Sequence, residues 1–307
     1  MSERAPAKAY SWMIASSFLF AVMNVCARTT SGHIDWKMVA FTRAGTGTLI
    51  AILVGKMRGG RIFPRSTPAM WGRSFFGTGA LTCTFWVLSS RELALGDAAT
   101  LLNLAPVLLA FLGPLVLGER SGRRVFLALP LAFAGVVLVL HPPLLFGATA
   151  AGGATLRVAA VALVSSCFSA CAMLMLRRVG PTESAESIVA HFSATAFVAL
   201  AIVTLPTATL PNLNELVVML IAGVSGGLAQ IAMTRAYALE FAARVSPFGY
   251  LIIVFTAALG AALLHDWPKP LALSGMALVL AAGVVVTFAS LREERRERRA
   301  ADATLRP

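Results

Sequence analysis

The 307-residue chain is 58% hydrophobic and only 13% charged, with a mean hydropathy of +0.79 and a formal net charge of +12. Soluble domains carry about 25% charged residues, so a water-soluble enzyme or signalling domain is excluded. A nucleic-acid binder is excluded too, because it needs a basic face on a soluble module. The class left is a polytopic helical membrane protein.

A bilayer span needs about 20 mostly apolar residues. Runs of that kind predict about ten helices, near residues 10–28, 36–55, 70–90, 97–117, 122–140, 156–176, 186–205, 213–234, 243–264 and 269–290. The runs are long and do not alternate, so they are helices rather than barrel strands. Arg4 and Lys8 precede the first run, which is too long for a cleaved signal; a retained first span is expected. Cys26, Cys83, Cys167 and Cys171 all fall inside apolar runs without a His or carboxylate set around them, and read as small packing residues. Small residues in AGTG (44–47), GTG (77–79) and GVSGG (223–227) let helix backbones approach closely. No Walker pattern or nucleotide loop is present, and no cofactor is expected.

Lysines and arginines in the short loops set the orientation. With the N-terminus inside, the cytoplasmic side collects Lys56, Arg58, Arg61, Arg65, Arg73, Arg120, Arg123, Arg124, Arg177, Arg178, Arg235 and Arg244, and the tail adds six more arginines. The outside receives only Arg28, Lys37, Arg91, Arg157 and Lys269. Both termini are therefore expected in the cytoplasm. The tail, residues 291–307 with the run REERRERRA, reads as a solvated, partly helical extension facing an anionic leaflet.

The chain repeats itself. SSFLFA (Ser16–Ala21) matches SSCFSA (Ser165–Ala170), and Arg28 then matches Arg177. AFAGVVLVL (Ala132–Leu140) matches LAAGVVVTF (Leu280–Phe288). Two five-helix repeats are expected, over 10–140 and 156–290. An odd number of spans forces the second repeat to enter the membrane upside down, an arrangement that secondary transporters use to bind substrate between their halves.

LNLAPVLLAFLGPLVLGER (Leu102–Arg120), Ala236-Tyr237, the Ser-Pro-Phe-x-Tyr of Ser246–Tyr250 and the trailing Ala-Gly-Val resemble the drug/metabolite transporter superfamily, in particular its ten-helix EamA-like members. Arg43 is similar to an arginine often seen in their second span. The resemblance implies an all-α fold of two inverted five-helix repeats, a bacterial inner-membrane location and a cavity surrounded by spans 1–4 and 6–9, with spans 5 and 10 bracing the outside. It departs at His265-Asp266, where members often carry Gly-Glu, and at Phe20-Ala21, where many carry Trp-Gly.

Candidate substrate-binding residues are Asn24, Arg43, Trp86, Asn103, His191 and Tyr250, with Pro106 and Pro247 as gating positions. Arg43 lies about 10 Å inside the second span at 1.5 Å per residue. It either snorkels to the headgroups or faces an aqueous cavity and meets a carboxylate or polar part of the substrate. Asn24 and Asn103 can bridge helices or line a pocket. Pro106 frees a backbone carbonyl, and Ser246-Pro247 supplies a counterpart break beside Tyr250. Trp86, Phe20 and Phe168 suit either packing or a substrate with an apolar part. His191 is an interior hydrogen-bonding residue or a proton-coupling one. Every Asp and Glu falls in a loop or at a span end, which favours facilitated diffusion or exchange over a midplane carboxylate relay.

These residues predict a secondary transporter of small organic metabolites such as amino acids, exporting or exchanging by alternating access. The expected partners are a small-molecule substrate and the lipid bilayer, with a homodimer compatible and nucleic acid excluded. Two other classes compete. GVSGG formally fits G-x-S-x-G around Ser225, which would make an intramembrane serine hydrolase. A non-transporting receptor or assembly protein is the third.

Overall fold

The computed structural model describes residues 6–59, 62, 64–109, 125–140, 152–180, 182–239 and 242–304. These residues are all-α, without a β-strand. The helices are α1 (Pro6–Thr29), α2 (Trp36–Met57), α3 (Pro68–Ser89), α4 (Leu95–Leu102), α5 (Val125–Leu140), α6 (Gly153–Val179), α7 (Ala185–Thr204), α8 (Leu213–Leu239), α9 (Ala242–Gly249), α10 (Leu251–Leu264) and α11 (Pro270–Thr304). Residues 105–109 form a further short helical run after α4. Among the described residues, six helical segments are long and apolar enough to cross a membrane. The protein is a multi-pass membrane protein.

Helix starts follow local chemistry. Asp35 caps α2 by accepting from Lys37 N at 3.0 Å, and Thr67 caps α3 by accepting from Met70 N at 3.2 Å, with Pro68 at its first turn. Asn212 and Glu215 form a reciprocal capping box before α8: each side chain accepts the other's backbone N–H, at 2.9 and 2.8 Å. The runs predicted near 97–117 and 243–264 are both interrupted. α4 stops at Leu102 and the helix resumes at 105, while Tyr250 separates α9 from α10. Pro106 and Pro247, which cannot donate a backbone N–H, lie beside the two breaks. The rest of the fourth run and Glu119 lie outside the described residues.

Apolar surface is arranged for lipid. Leu49, Leu53, Phe75, Phe133, Val198 and Ile202 are each over half exposed, as a bilayer solvent permits and water does not. Inside, α1 packs on α8 and α10, α2 on α7 and α8, α3 on α6 and α7, α4 on α6 and α10, and α5 on α11. Small residues bring these backbones together. A Cβ at Gly227 would stand 3.1 Å from the Cα of Gly47, joining α8 to α2. A Cβ at Gly275 would stand 2.6 Å from the carbonyl oxygen of Gly135, joining α11 to α5.

α10 ends at His265, which is left-handed at φ 53°, and Asp266 N donates back to Gly260 O at 3.1 Å. This is a helix stop that glycine fits without strain. His265→Gly is expected to raise stability by about 1 kcal/mol, read as a higher unfolding midpoint of the purified protein in detergent; an unchanged or lower midpoint contradicts it.

Candidate functional site

Two broken helices face each other inside the bundle, and their loose backbone groups are met by serines. Ser17 Oγ donates to Phe248 O at 2.9 Å, two residues before Tyr250. Ser166 Oγ donates to Leu101 O at 2.6 Å, two residues before Asn103. The neighbouring serines of the same Ser-Ser pairs also act alike. Ser16 Oγ donates to Ala229 O at 2.8 Å, tying α1 to α8, and Ser165 Oγ to Ala80 O at 3.0 Å, tying α6 to α3. In hydrocarbon no water can take these bonds, so the hydroxyls fix where the breaks lie.

Between the breaks is a cavity of about 220 Å³. Its wall comes from α1 to α4, residues 105–106, and α6 to α10; α5 and α11 contribute none of the lining residues. Met13, Met23, Met173 and Met233 give it a deformable apolar surface. Asn24, Asn103 and Gln230 add amides. Asn24 Nδ2 donates to Thr256 Oγ1 at 3.2 Å and Asn103 Nδ2 to Ala99 O at 2.7 Å. Tyr250 is buried, and its hydroxyl has no hydrogen-bond partner among the described residues.

The cavity's charge comes from Arg43 and Arg73, which are 3% and 5% exposed. Nε and Nη1 of both lack hydrogen-bond partners among the described residues. Each guanidinium lies near the ring of Phe192, at 5.5 Å for Arg43 and 4.6 Å for Arg73. Arg73 corrects the sequence reading, which counts it with the cytoplasmic loop charges. It stands in the second turn of α3 and extends inward past Gly77 into the cavity. Helical side chains ordinarily lean toward the N-terminus; the missing Cβ at Gly77 leaves room for the opposite direction, since a Cβ there would collide with Arg73 Nη1.

The predicted residues divide. Asn24, Arg43, Asn103, Pro106, Tyr250 and Phe20 line the cavity. Trp86 and His191 are not among its lining residues. Trp86 packs against the hydrophobic core, and His191 Nδ1 pairs with Ser74 Oγ at 2.7 Å while Trp71 meets its ring edge-on at 4.8 Å. Pro247 sits within α9 behind Gly249 and Tyr250, and Phe168 packs at Gly79. Gln230, Phe192 and Arg73 are lining residues that sequence reasoning missed. Only Arg73 carried a usable signal, an arginine inside a predicted span with glycine four residues on.

Ionic contacts mark both ends of the bundle. At one end Glu186, in the first turn of α7, accepts from Arg235 Nε at 3.0 Å and Nη2 at 2.6 Å, with Arg58 at 3.9 Å. Arg235 also lies 5.3 Å from the ring of Trp12 on α1. At the other end Arg28 Nη2 donates to Leu93 O at 2.9 Å and its Nη1 stands 3.8 Å from Asp266, which accepts from Leu95 N at 2.8 Å. Asp97 is buried in the first turn of α4 at this end. No group of three or more potential metal ligands occurs among the described residues.

Ser225 offers no nucleophile. Its hydroxyl donates to Ile221 O at 2.7 Å within its own helix, α8, and His191 is engaged with Ser74 instead. The strand-to-helix elbow that a G-x-S-x-G serine needs is absent here.

A many-spanned helical protein with a polar-lined hollow between broken helices is built as a membrane transporter. The comparisons with known proteins point to the same class. The EamA-like transporter family matches residues 7–141. The chain is 28% identical to the pseudopaline exporter CntI of Pseudomonas aeruginosa, over 89% of this chain and 94% of that one. It is 26% identical to a riboflavin transporter of Vibrio cholerae, over 95% and 97%. A solved crystal structure with 18% identity superposes with a TM-score of 0.68, covering 94% of this chain and all of that one, and so shares the fold. Over residues 7–141 the chain is similar to the EamA-like transporters, and it is a membrane transporter rather than an enzyme.

Removing the Glu186 charge tests the end contact. Glu186→Gln is expected to lower stability by about 1.5–3 kcal/mol, the scale of hydrogen bonds to a charged group, measured by unfolding in mixed micelles. A change under about 0.5 kcal/mol, the usual size for a surface substitution, would mean the contact is solvated.

Proposed function

We propose that the protein is a secondary transporter that exports or exchanges small organic metabolites, amino acids or related compounds, by alternating access to the central cavity. The observation that carries this reading is the cavity itself, which lies at two helix breaks and holds two unpaired cations. Soluble-type packing would have filled such a hollow. The solutes for which the relatives are named, pseudopaline and riboflavin, support small organic compounds as the cargo class.

The two-repeat arrangement, 10–140 and 156–290 in opposite orientations, is part of the proposal. The helix pairing supports it. Exchanging the halves turns the α1–α8 contact into α6–α3, α2–α8 into α7–α3 and α1–α9 into α6–α4, and all of these pairs occur. The contacts α2–α7 and α5–α11 map onto themselves. The Ser16-Ser17 and Ser165-Ser166 pairs perform matching tasks at matching places.

In this scheme the bundle end holding Arg58, Glu186 and Arg235 faces the cytoplasm, as do both termini, and the membrane is a bacterial inner membrane. Asn24, Arg43, Asn103 and Tyr250 contact substrate. Pro106 and Pro247 let the half-helices swing, while Trp86 and His191 stand behind the wall and support it. The end contacts around Glu186 and Asp266 are the natural places for the cavity to open to either side.

Flux in proteoliposomes across a panel of amino acids and related metabolites, with and without a proton gradient, tests the reading. The wild type is expected to move at least one solute. Arg43→Ala is expected to reduce that flux by about tenfold or more with folded yield retained, as loss of a charge-assisted contact predicts, while Ser225→Ala leaves it unchanged. Normal flux in Arg43→Ala would remove that residue from the substrate contacts, and no flux of any solute in the wild type would defeat the transport reading.

A further inference from the structure

We propose that Arg43 and Arg73 together form a subsite for a doubly anionic group, carried by the transported solute as two carboxylates or as a phosphate. The inference rests on the transport reading above and adds the charge class of the cargo.

Two guanidinium groups buried side by side inside a bilayer protein are costly unless something of opposite charge answers them. Nothing among the described residues does. Neither arginine makes an ion pair there, and Nε and Nη1 of each are unsatisfied. The buried carboxylates lie away from this pair: Glu186 is bound to Arg235 and Arg58 at one end, and Asp97 stands in α4 at the other end, beside Arg28 and Asp266, with its Oδ1 unpartnered among the described residues. Both share the ring of Phe192, whose face attracts a cation but carries no net charge.

The positions are built rather than accidental. Both arginines approach one ring, so their guanidinium carbons are separated by no more than the sum of 5.5 and 4.6 Å. A carboxylate pair or a phosphate fits within that reach. Glycines reserve the space for both. A Cβ at Gly77 would collide with Arg73 Nη1 and stand 2.8 Å from Phe192 Cδ2; a Cβ at Gly226 would stand 3.2 Å from Arg43 Nε and 2.6 Å from Met23 Sδ. Arginine's planar fork suits bidentate capture of either oxyanion. A single negative charge would leave one guanidinium unanswered, which is why the subsite takes two.

The test uses the purified full-length protein and matched probes. Calorimetric binding is compared for succinate, succinamate and succinamide, and for glycerol 3-phosphate against glycerol. At least one dianion is expected to bind roughly tenfold or more tighter than its neutral counterpart, and the preferred arm tells carboxylate from phosphate. Arg43→Gln and Arg73→Gln are each expected to weaken that binding by about 30-fold or more. Arg73→Lys keeps the charge and should retain part of it, which separates charge loss from misfolding. Gly77→Ala, with both arginines in place, should weaken it as well. Neutral probes binding as tightly as dianions, or glutamine variants matching the wild type, would overturn the subsite. Proteoliposome flux separates the two readings: flux of neutral solutes with dianions ignored defeats the subsite alone, whereas dianion binding without any flux defeats transport and leaves the subsite standing.

Discussion

A helix can be interrupted in hydrocarbon only where another group takes over its abandoned hydrogen bonds. That constraint organises this protein. The break after Leu102 and the break at Tyr250 each leave carbonyls that a serine from another helix satisfies, Ser166 on Leu101 and Ser17 on Phe248. The serines one residue earlier, Ser165 and Ser16, bind the backbones of α3 and α8. Each Ser-Ser pair therefore clamps a broken helix on one side and an intact helix on the other. The hollow between the clamps is where Asn103 and Tyr250 stand.

The same solvent argument governs charge. At the two ends of the bundle, arginines meet carboxylates or backbone carbonyls: Arg235 with Glu186, Arg28 with Leu93 and Asp266. In the middle, Arg43 and Arg73 meet only an aromatic ring among the described residues. Arginines paired with carboxylates at the ends and two arginines without a carboxylate in the centre is the distribution expected when the missing partner is a diffusible one. The glycines beside these arginines serve placement, because the guanidinium groups occupy volume that a methyl would take.

Much of the site was legible in the chain, and the failures have physical causes. Arg43 stood out because its neighbours are apolar on both sides. Asn103-Pro106 and Pro247-Tyr250 stood out because proline must break a ladder of backbone bonds. Arg73 was misplaced because it lies near a span's beginning, where an arginine usually turns outward to the headgroups; its inward course depends on Gly77 and Phe192, and Phe192 comes from a distant helix. His191 went the other way. A lone histidine in a span invites a functional reading, yet Ser74 on α3 engages it away from the cavity lining. His265 stands where the family resemblance implies a glycine, and the left-handed backbone there is one that glycine adopts without strain.

What the sequence determined by itself is the solvent and the elements: low charge and long apolar runs demand a bilayer, a bilayer demands helices, and Pro106 and Pro247 mark the neighbourhoods of two breaks. Repeated Ser-Ser pairs were visible as well, though not what they bind. The tertiary structure decided which side chains share the hollow. Facing direction depends on helix rotation and on partners hundreds of residues away, as with Ser17 and Phe248, and no local pattern encodes that. It also decided that two cations rather than one stand inside, since an arginine's destination is set by the space its neighbours leave open.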